Sequence, residues 1–305
     1  MNSRNKKFVW AILTGLLIFN FLAWSVIYHL NKPHSLEVVF FDVGQGNAAL
    51  IKSTNGHYIL IDSGPNASIL EKLAKEIPFW QKKIDLVIIT HAHKDHFAGL
   101  ADVMERYRVE NIIWNGAREN SLDFQRWQDL ISQTKSNIKI GWAGQRIKSK
   151  DFSLDILYPF FNLIDIEFKD ANFSSFVLRL TYKEHSFLFM GDTYQSIEEE
   201  LVSKEKFCQK EMNQENLDYL CQKMHLNSDV LLVGHHGSKT STSEQFVQAV
   251  SPQVAIISVG QNNKFGQPAQ EVLDRLAKYD IRVLRTDLNG DIKIISDGKR
   301  LLISN

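Results

Sequence analysis

The chain has 305 residues, of which 44% are hydrophobic and 23% charged, enough for one large domain with a full core plus an appendage. Its 35 Lys and Arg residues equal its 35 Asp and Glu residues. The balance excludes a protein that attracts polyanions through its overall charge, so any nucleic-acid binding must depend on local patches.

The N-terminus carries an uncharged stretch, residues 8–30, directly after Arg4, Lys6 and Lys7. At ~1.5 Å per residue this stretch can cross a hydrocarbon core of ~30 Å. The rival interpretation is a cleaved signal peptide, but its apolar region is usually only ~7–15 residues long and ends at a small-residue cleavage site, which we do not find. We expect a retained single-pass anchor in the cell membrane. The positive-inside rule then places residues 1–7 in the cytoplasm and the rest of the chain outside.

Residues 31–35 are predicted to be a linker, because Pro33 discourages continuation of the helix. Residues 36–305 form the predicted soluble domain. Its first strand, 36–41, ends in a turn that begins at Asp42 and contains two glycines, which permit close backbone approach. The first hairpin then turns at 54–56, where Thr-Asn-Gly is a strong turn signal.

That hairpin delivers Asp62 to the end of a strand, followed by Ser63 and Gly64. Three interpretations of Asp62 stay open. It is a metal ligand, a buried carboxylate that orients a histidine, or the cap of the turn before the glycine.

The most informative segment is His-Ala-His-Lys-Asp-His at 91–96. It follows a run of aliphatic residues, 86–90, which is typical of a fully buried strand and lies in the predicted strand 84–90. A tight turn after such a strand points side chains into one pocket. The imidazoles of His91, His93 and His96 and the carboxylate of Asp95 are the donors that a borderline divalent cation takes. The alternative, a solvated polar loop, does not account for four such residues in six positions.

Further strand and helix signals alternate along the chain and suggest two mixed sheets covered by helices. The patterns predict helices at 68–77, 97–106 and 122–133, and strands at 111–114, 153–158, 176–181 and 186–190.

Two later strands also end in residues that can bind metal. The second hairpin ends in Gly191-Asp192, where a carboxylate can bridge two ions that sit ~3.5–4 Å apart. The apolar strand 229–233 is followed by His235 and His236. We expect Asp192 and His235 to be ligands and favour His236 less, because adjacent side chains diverge. Strands that each end in such residues predict a site at one edge of a sheet.

These segments resemble the metallo-β-lactamase superfamily of metal-dependent hydrolases, and within it the hydrolase domain of bacterial DNA-uptake (competence) channel proteins. The resemblance runs from about residue 36 to 295. It is carried by the segments 42–46, 62–64, 90–96, 191–192, 233–241, 255–260 and 285–287.

The resemblance implies an α/β fold, a four-layer αββα sandwich with two divalent metal ions at one edge. Zn²⁺ is the expected metal and Mn²⁺ the alternative. One ion is expected on His91 and His93, and the other on Asp95 and His96. Asp192 is expected to bridge the ions, and His235 to complete one sphere. A hydroxide between the metals attacks the substrate, since metals lower the pKa of water from ~15.7 toward ~7.

Within this arrangement Asp95 and His236 are the catalytic candidates, and His236 and Ser238 are placed to stabilise charge that develops on the substrate. The residues expected around the metals or against substrate are Asp42, Asp62, Asn172, Ser175, Ser238, Lys239 and Gln267.

The chain departs from the family pattern in several places. Asn47 stands where relatives carry Asp. Gln267 stands where they carry a His that binds metal or protonates the leaving group, and Gln cannot shuttle a proton near neutral pH. Residues from about 204 to 228 look like an insertion that carries the two cysteines of the chain, Cys208 and Cys221. A disulfide between them is expected if the domain is extracytoplasmic.

The sequence therefore predicts a membrane-anchored, extracytoplasmic hydrolase of phosphodiesters, with DNA as a candidate substrate. One alternative is a cell-envelope phosphoesterase that acts on phosphocholine-like groups. The other, motivated by Asn47 and Gln267, is a partner subunit that binds metal but has lost turnover.

Overall fold

The computed structural model describes residues 3–30, 35–211 and 219–304. The helices are α1 Ser3–Leu30, α2 Ser68–Glu76, α3 Lys94–Phe97, α4 Leu100–Arg106, α5 Leu122–Gln133, α6 Gln195–Glu211, α7 Glu244–Val250, α8 Gln270–Lys278 and α9 Thr286–Asn289. The strands are β1 Leu36–Phe40, β2 Ala49–Lys52, β3 Tyr58–Ile61, β4 Lys83–Ile88, β5 Arg108–Trp114, β6 Arg118–Glu119, β7 Asn137–Ile140, β8 Arg146–Lys148, β9 Ser153–Tyr158, β10 Glu167–Phe168, β11 Val177–Tyr182, β12 His185–Phe189, β13 Val230–Leu232, β14 Val254–Ile257, β15 Arg282–Arg285, β16 Ile292–Ser296 and β17 Leu301–Ser304.

The strands form two large sheets. The first has the order β17-β16-β1-β2-β3-β4-β5-β7, and the second β15-β14-β13-β12-β11-β9-β8. Each sheet joins an antiparallel half to a parallel half: β3, β4, β5 and β7 run parallel in the first, and β12 to β15 in the second. Because the carboxyl ends of parallel strands lie at one edge, the residues that follow these strands can converge.

Three apolar layers hold the sandwich together. The inner faces of the sheets pack on each other, with the Phe40 and Phe189 rings stacked at 5.9 Å between centroids. The outer face of the first sheet packs under α2, α4 and α5, where Trp127 is fully buried. The outer face of the second sheet packs under α6, α7 and α8. These layers confirm the predicted αββα sandwich.

The predicted helix over 97–106 is instead two short helices, α3 and α4, broken at Gly99. The backbone amide of Gly99 donates to the Gly64 carbonyl at 3.0 Å, and the Asp95 carbonyl accepts from the Asn47 amide at 3.2 Å, so both groups leave the helical pattern. A Cβ at position 99 would collide with the Ser63 carbonyl oxygen. The break therefore docks the 91–96 turn against the loops on either side of the first hairpin.

Helix α1 stands outside the sandwich. Its segment Lys6–Ile27 is long and apolar enough to cross a membrane, and none of it is buried in the fold. Most of the predicted linker, 31–35, and part of the predicted insertion, 204–228, lie outside the described residues. Within the described part, Cys208 and Cys221 are joined by a disulfide, with 4.8 Å between their Cα atoms.

Candidate metal centre

The candidate site lies where four parallel strands end. Asp62 directly follows β3, and the 91–96 segment follows β4 in the first sheet. Asp192 follows β12, and the histidine pair follows β13 in the second sheet. The amide of His235 donates to the Gly191 carbonyl at 2.9 Å, which ties the two loops of the second sheet together. The site is thus assembled from both sheets.

Four side chains converge there: Asp95, His96, Asp192 and His236 each offer a donor atom, and these atoms lie within 4.8 Å of one another. Nε2 of His96 lies 3.2 Å from Asp192 Oδ1. Nε2 of His236 lies 3.3 Å from Asp95 Oδ2 and 3.4 Å from Asp192 Oδ2. Two imidazoles and two carboxylates facing one point form a ligand set for a divalent cation.

His96 is held by Asp62. Its Nδ1 lies 2.8 Å from Asp62 Oδ2 and, because a carboxylate accepts, this nitrogen carries the proton. The same carboxylate accepts from the backbone amide and the hydroxyl of Thr90, at 2.8 and 2.9 Å. The other ring nitrogen, Nε2, is thereby directed at Asp192 and Asp95. Of the three interpretations of Asp62, the contacts favour the carboxylate that orients a histidine.

His236 is held in the same manner by the backbone. Its Nδ1 donates to the Ser258 carbonyl at 2.8 Å, which leaves Nε2 facing the two carboxylates. The backbone at His235 and His236 is left-handed, with φ of 49° and 54°. Such conformations cost non-glycine residues about 1–3 kcal/mol each. The strain is concentrated where it turns the His236 ring into the site.

The structure therefore places His236, rather than His235, among the four converging residues. The two adjacent side chains diverge, as expected. The His235 ring packs on Tyr194 instead, with centroids 5.3 Å apart, and its Nδ1 lies 3.4 Å from the Thr240 hydroxyl. His235 still lines the cleft beside the cluster. The sequence favoured His235 over His236 as a ligand, and left-handed backbone at two consecutive histidines, which turns the His236 ring toward the cluster, leaves no mark in the sequence.

The charges in the cluster stabilise one another. Although burial lowers the pKa of His236, Asp192 and Asp95 raise it to about 10. The pKa of His96 is likewise raised well above its ordinary value, since the nearby carboxylates outweigh burial. Burial acts to raise the pKa of Asp192, but His96 and His236 hold it well below the usual range. Without metal, both imidazoles carry protons and both carboxylates stay ionised at neutral pH.

His91 and His93 lie on the other side of the cluster. The His91 ring is 4.1 Å from the His96 ring and 4.6 Å from the His93 ring, measured between centroids. Burial and the neighbouring His96 hold the pKa of His91 well below its ordinary value, so this imidazole is neutral. The Ser175 hydroxyl is 3.4 Å from its Nδ1 and accepts the Asp192 amide at 3.0 Å. Ser175 thus links the two groups of residues.

His93 has a carboxylate beside it that sequence analysis missed. Glu119 places Oε1 3.6 Å from His93 Nε2, and it also accepts from the Ala171 amide at 3.1 Å and the Ser121 hydroxyl at 2.7 Å. Glu119 lies on β6, a two-residue strand. A strand that short has no periodicity by which its role could have been recognised.

The remaining predicted residues are distributed around the cleft. Asn172, at its wall, donates to the Tyr194 hydroxyl at 3.0 Å, and burial raises the pKa of that tyrosine to about 12. Gln267 accepts from Gln45 at 2.8 Å and donates to the His235 carbonyl at 3.1 Å, so it holds the loops together.

Three predicted residues have no direct contact with the cluster. The Asp42 carboxylate accepts the Gly44 amide of its own turn at 3.2 Å. The Ser238 hydroxyl is 2.9 Å from that of Thr240, and Lys239 is exposed.

Four buried atoms of the site show that the residues fit a metal. Within residues 3–30, 35–211 and 219–304, Nε2 of His91, His96 and His236 and Oδ1 of Asp192 make no hydrogen bond of good geometry, although His96 and His236 lie 3.2–3.4 Å from the carboxylates as ion pairs. Buried polar atoms are nearly always satisfied, so a cluster of such atoms marks the place of a ligand. A cleft of about 240 Å³ opens onto this point.

Comparison with known proteins shows which family the chain belongs to. The family described as Metallo-beta-lactamase superfamily matches residues 41–261. ComE operon protein 3 of Bacillus subtilis is 30% identical over 277 residues, which cover 84% of this chain and 32% of that protein. Competence protein ComA of Neisseria gonorrhoeae is 28% identical over 290 residues, covering 93% of this chain and 35% of that protein. The chain therefore spans about a third of the length of these curated relatives.

Solved structures agree on the fold. The metallo-beta-lactamase fold protein YhfI from Bacillus subtilis superimposes with a TM-score of 0.53 at 14% identity, over 88% of this chain and all of that one. At this identity the likeness establishes the fold alone.

Proposed function

Because the chain belongs to the metallo-β-lactamase superfamily of metal-dependent hydrolases, we propose that it is a membrane-anchored hydrolase of phosphodiesters, with nucleic acid as the candidate substrate. One observation carries the proposal. Two imidazoles and two carboxylates converge within 4.8 Å, and their inward-facing nitrogens and one carboxylate oxygen lack any other partner within the described chain. A divalent ion would satisfy these atoms together.

The residues have separable tasks. Asp95, His96, Asp192 and His236 would hold one divalent ion, and His91 and His93, with Asp192 between, a second. Divalent ions at such sites act as Lewis acids and generate a nucleophile from water at neutral pH. Asp62 and the Ser258 carbonyl fix the tautomers of His96 and His236 so that Nε2 faces the ion. The Tyr194 hydroxyl, with its pKa of about 12, keeps its proton at neutral pH, donates it to the Asp170 carboxylate at 2.7 Å and accepts from Asn172, so it holds Asn172 at the wall of the cleft.

The proposed substrate class is supported by the names of the relatives and not by the net charge of the chain. The Neisseria relative is named a competence protein, and competence is the uptake of DNA. Since the chain spans about a third of such proteins, a shared domain is the basis of the proposal. We propose residues 8–30 as the anchor, 1–7 as its cytoplasmic end and 36–305 as an extracytoplasmic hydrolase domain.

Metal content and turnover, measured together, test the proposal. The full chain in lipid nanodiscs is purified without chelators, its bound metal is counted, and hydrolysis of bis-p-nitrophenyl phosphate and of DNA is followed. We expect bound metal and turnover that His236→Ala abolishes. His57→Ala is the matched control, because His57 lies at the first hairpin with its side chain 49% exposed, away from the cluster. Metal without turnover on either substrate would contradict the hydrolase.

The second candidate function is a metal-binding partner subunit, and Gln267 favours it. This residue cannot protonate a leaving group, and its amide is engaged at both ends by Gln45 and the His235 carbonyl. Gln267→His separates the two candidates. A large gain in turnover would indicate a site that has lost its acid, whereas unchanged or reduced turnover supports a working variant that uses the glutamine to hold its loops.

A further inference from the structure

An aromatic pair projects from the loop between α2 and β4. Phe79 is 72% exposed and Trp80 is 41% exposed, and their rings pack edge to face with centroids 4.9 Å apart. Large apolar side chains that project together from a loop are unfavourable in water. Aromatic side chains with a polar tip, such as tryptophan, are enriched where a membrane meets water.

The position of this pair relative to α1 is the decisive observation. The Trp80 ring contacts the Trp24 ring edge to face, with 5.9 Å between centroids. Trp24 lies three residues before the end of the candidate span Lys6–Ile27, or about 4.5 Å along the helix axis. If α1 crosses the membrane, Trp24 lies at its outer boundary, and Trp80 lies at the same depth.

Basic side chains lie beside the aromatic pair. The Arg108 amide donates to the Lys82 carbonyl at 2.7 Å, which fixes the loop next to the start of β5. Lys82, Arg106, Arg108 and Lys135 are exposed and share one cavity with a single carboxylate, Glu105. Arg108 also pairs with Glu110 at 2.7 Å. The cavity still carries a surplus of positive charge, which suits anionic phosphate headgroups.

We propose that Phe79 and Trp80 insert into the interface of the membrane that α1 crosses, and that the basic group of Lys82, Arg106, Arg108 and Lys135 rests on anionic lipid headgroups. This inference rests on the anchor in the proposed function. The sandwich then has a fixed orientation on the bilayer, set by two contacts instead of one flexible tether.

The orientation has a consequence for the site. The loop precedes β4, whereas the 91–96 segment follows it. The six residues of β4 extend about 20 Å at ~3.3 Å per residue. The metal cluster therefore lies at the end of the sheet away from the loop, and the cleft opens away from the bilayer, where a polymer outside the cell has access.

Labelled cysteines in the full chain test the inference. Cys208 and Cys221 are joined to each other, so a single introduced cysteine is the one free thiol available to a label. Phe79→Cys receives an environment-sensitive fluorophore, and the protein is reconstituted into vesicles of phosphatidylcholine and phosphatidylglycerol with or without spin-labelled lipid. Phe265→Cys is the matched control, because Phe265 is also 72% exposed and lies at the cleft.

We expect spin-labelled lipid to quench the label at position 79 several-fold and to leave that at 265 unchanged. Replacing phosphatidylglycerol by phosphatidylcholine should reduce the quenching at 79. Protein that resists an alkaline wash but shows no quenching at 79 overturns the inference and leaves the anchor intact. A blue-shifted but unquenched label indicates a protein partner, such as a second copy, and also overturns it. Protein that the wash removes overturns the anchor and the inference together.

Discussion

The two sides of the candidate metal centre are built differently. On what we call the buried side, Asp62, His96, Asp192 and His236 are at most 3% exposed and each imidazole is fixed through Nδ1, while the Asp95 carboxylate, 33% exposed, completes the group from the cleft. On what we call the open side, the His93 side chain is 28% exposed, and its carboxylate neighbour Glu119 stands at 3.6 Å, beyond hydrogen-bond distance. His91 lies between the two sides, with its Nε2 unsatisfied.

The difference suggests that the two metal positions are unequal. Ligands that are already fixed lose little freedom when an ion binds, whereas a partly exposed histidine with a loosely held partner must first be ordered. We therefore expect the buried side to fill first and to hold its ion more tightly. Each prediction below tests this asymmetry, from the largest expected effect to the smallest.

Asp192→Ala should have the largest effect, because this carboxylate faces both imidazoles of the buried side and links them to Ser175 through its backbone. Residues that hydrogen-bond to metal ligands typically contribute about 10–100-fold to the affinity for the metal. Loss of a ligand itself should therefore reduce metal affinity and turnover by more than about 100-fold. Competition with a chromophoric chelator measures the affinity.

The control for this variant is Asp229→Ala. Asp229 lies at the opposite end of β13, where it accepts the Ser186 amide at 2.8 Å, so its loss affects stability but not the cluster. If Asp192→Ala retained full affinity, the buried side would not be a metal site and the asymmetry would have no basis.

Metal binding to the buried side should release about two protons per ion at pH 7. In the metal-free protein the pKa of His236 is about 10, and that of His96 is also raised, so both rings are charged. A ligating imidazole must be neutral. Affinity should therefore rise with pH above neutrality, by about 100-fold per unit while both rings are charged and by less once either ring loses its proton.

Calorimetry in buffers of different ionisation enthalpy counts these protons directly. In His236→Ala, the count should fall by about one. Binding without proton release would mean that the imidazoles are neutral beforehand, and the electrostatic account of the buried side would then be incorrect.

Asp62→Asn should weaken metal binding by about 10–100-fold, since the amide lacks the charge that holds the proton on His96 Nδ1. Burial raises the pKa of Asp62, although His96 and Thr90 act in the opposite direction. Asp85→Asn is the control, because Asp85 accepts the Tyr58 amide at 2.9 Å from the opposite end of the same sheet. Equal losses in both variants would indicate general destabilisation instead of loss of orientation.

The sequence predicted the parts of the site that depend on patterns along the chain. Continuous apolar strands that end in His or Asp predicted where the ligands meet, and the 91–96 segment predicted their type. The sequence favoured His235 over His236, whereas the His236 ring faces the cluster, because left-handed backbone is a property of the folded loop. The carboxylate neighbour of His93 could not be found, since Glu119 is 26 residues away and its position depends on β6 pairing with β10.

Glu119→Gln should have the smallest effect, a loss of affinity at or below about 10-fold and confined to the weaker metal position. Glutamine preserves the size of the side chain, and its carbonyl oxygen can still accept from the Ala171 amide while its NH2 group faces the Ser121 hydroxyl, so the main change is loss of the charge beside His93. Titration with metal should show one unchanged tight binding event and one weakened binding event.

The control is Glu167→Gln, which makes the same change at an exposed position on β10, the strand that pairs with β6. If Glu119→Gln weakened the tight event as strongly as Asp62→Asn does, the two sides would be coupled through His91, and the unequal filling proposed above would have to be abandoned.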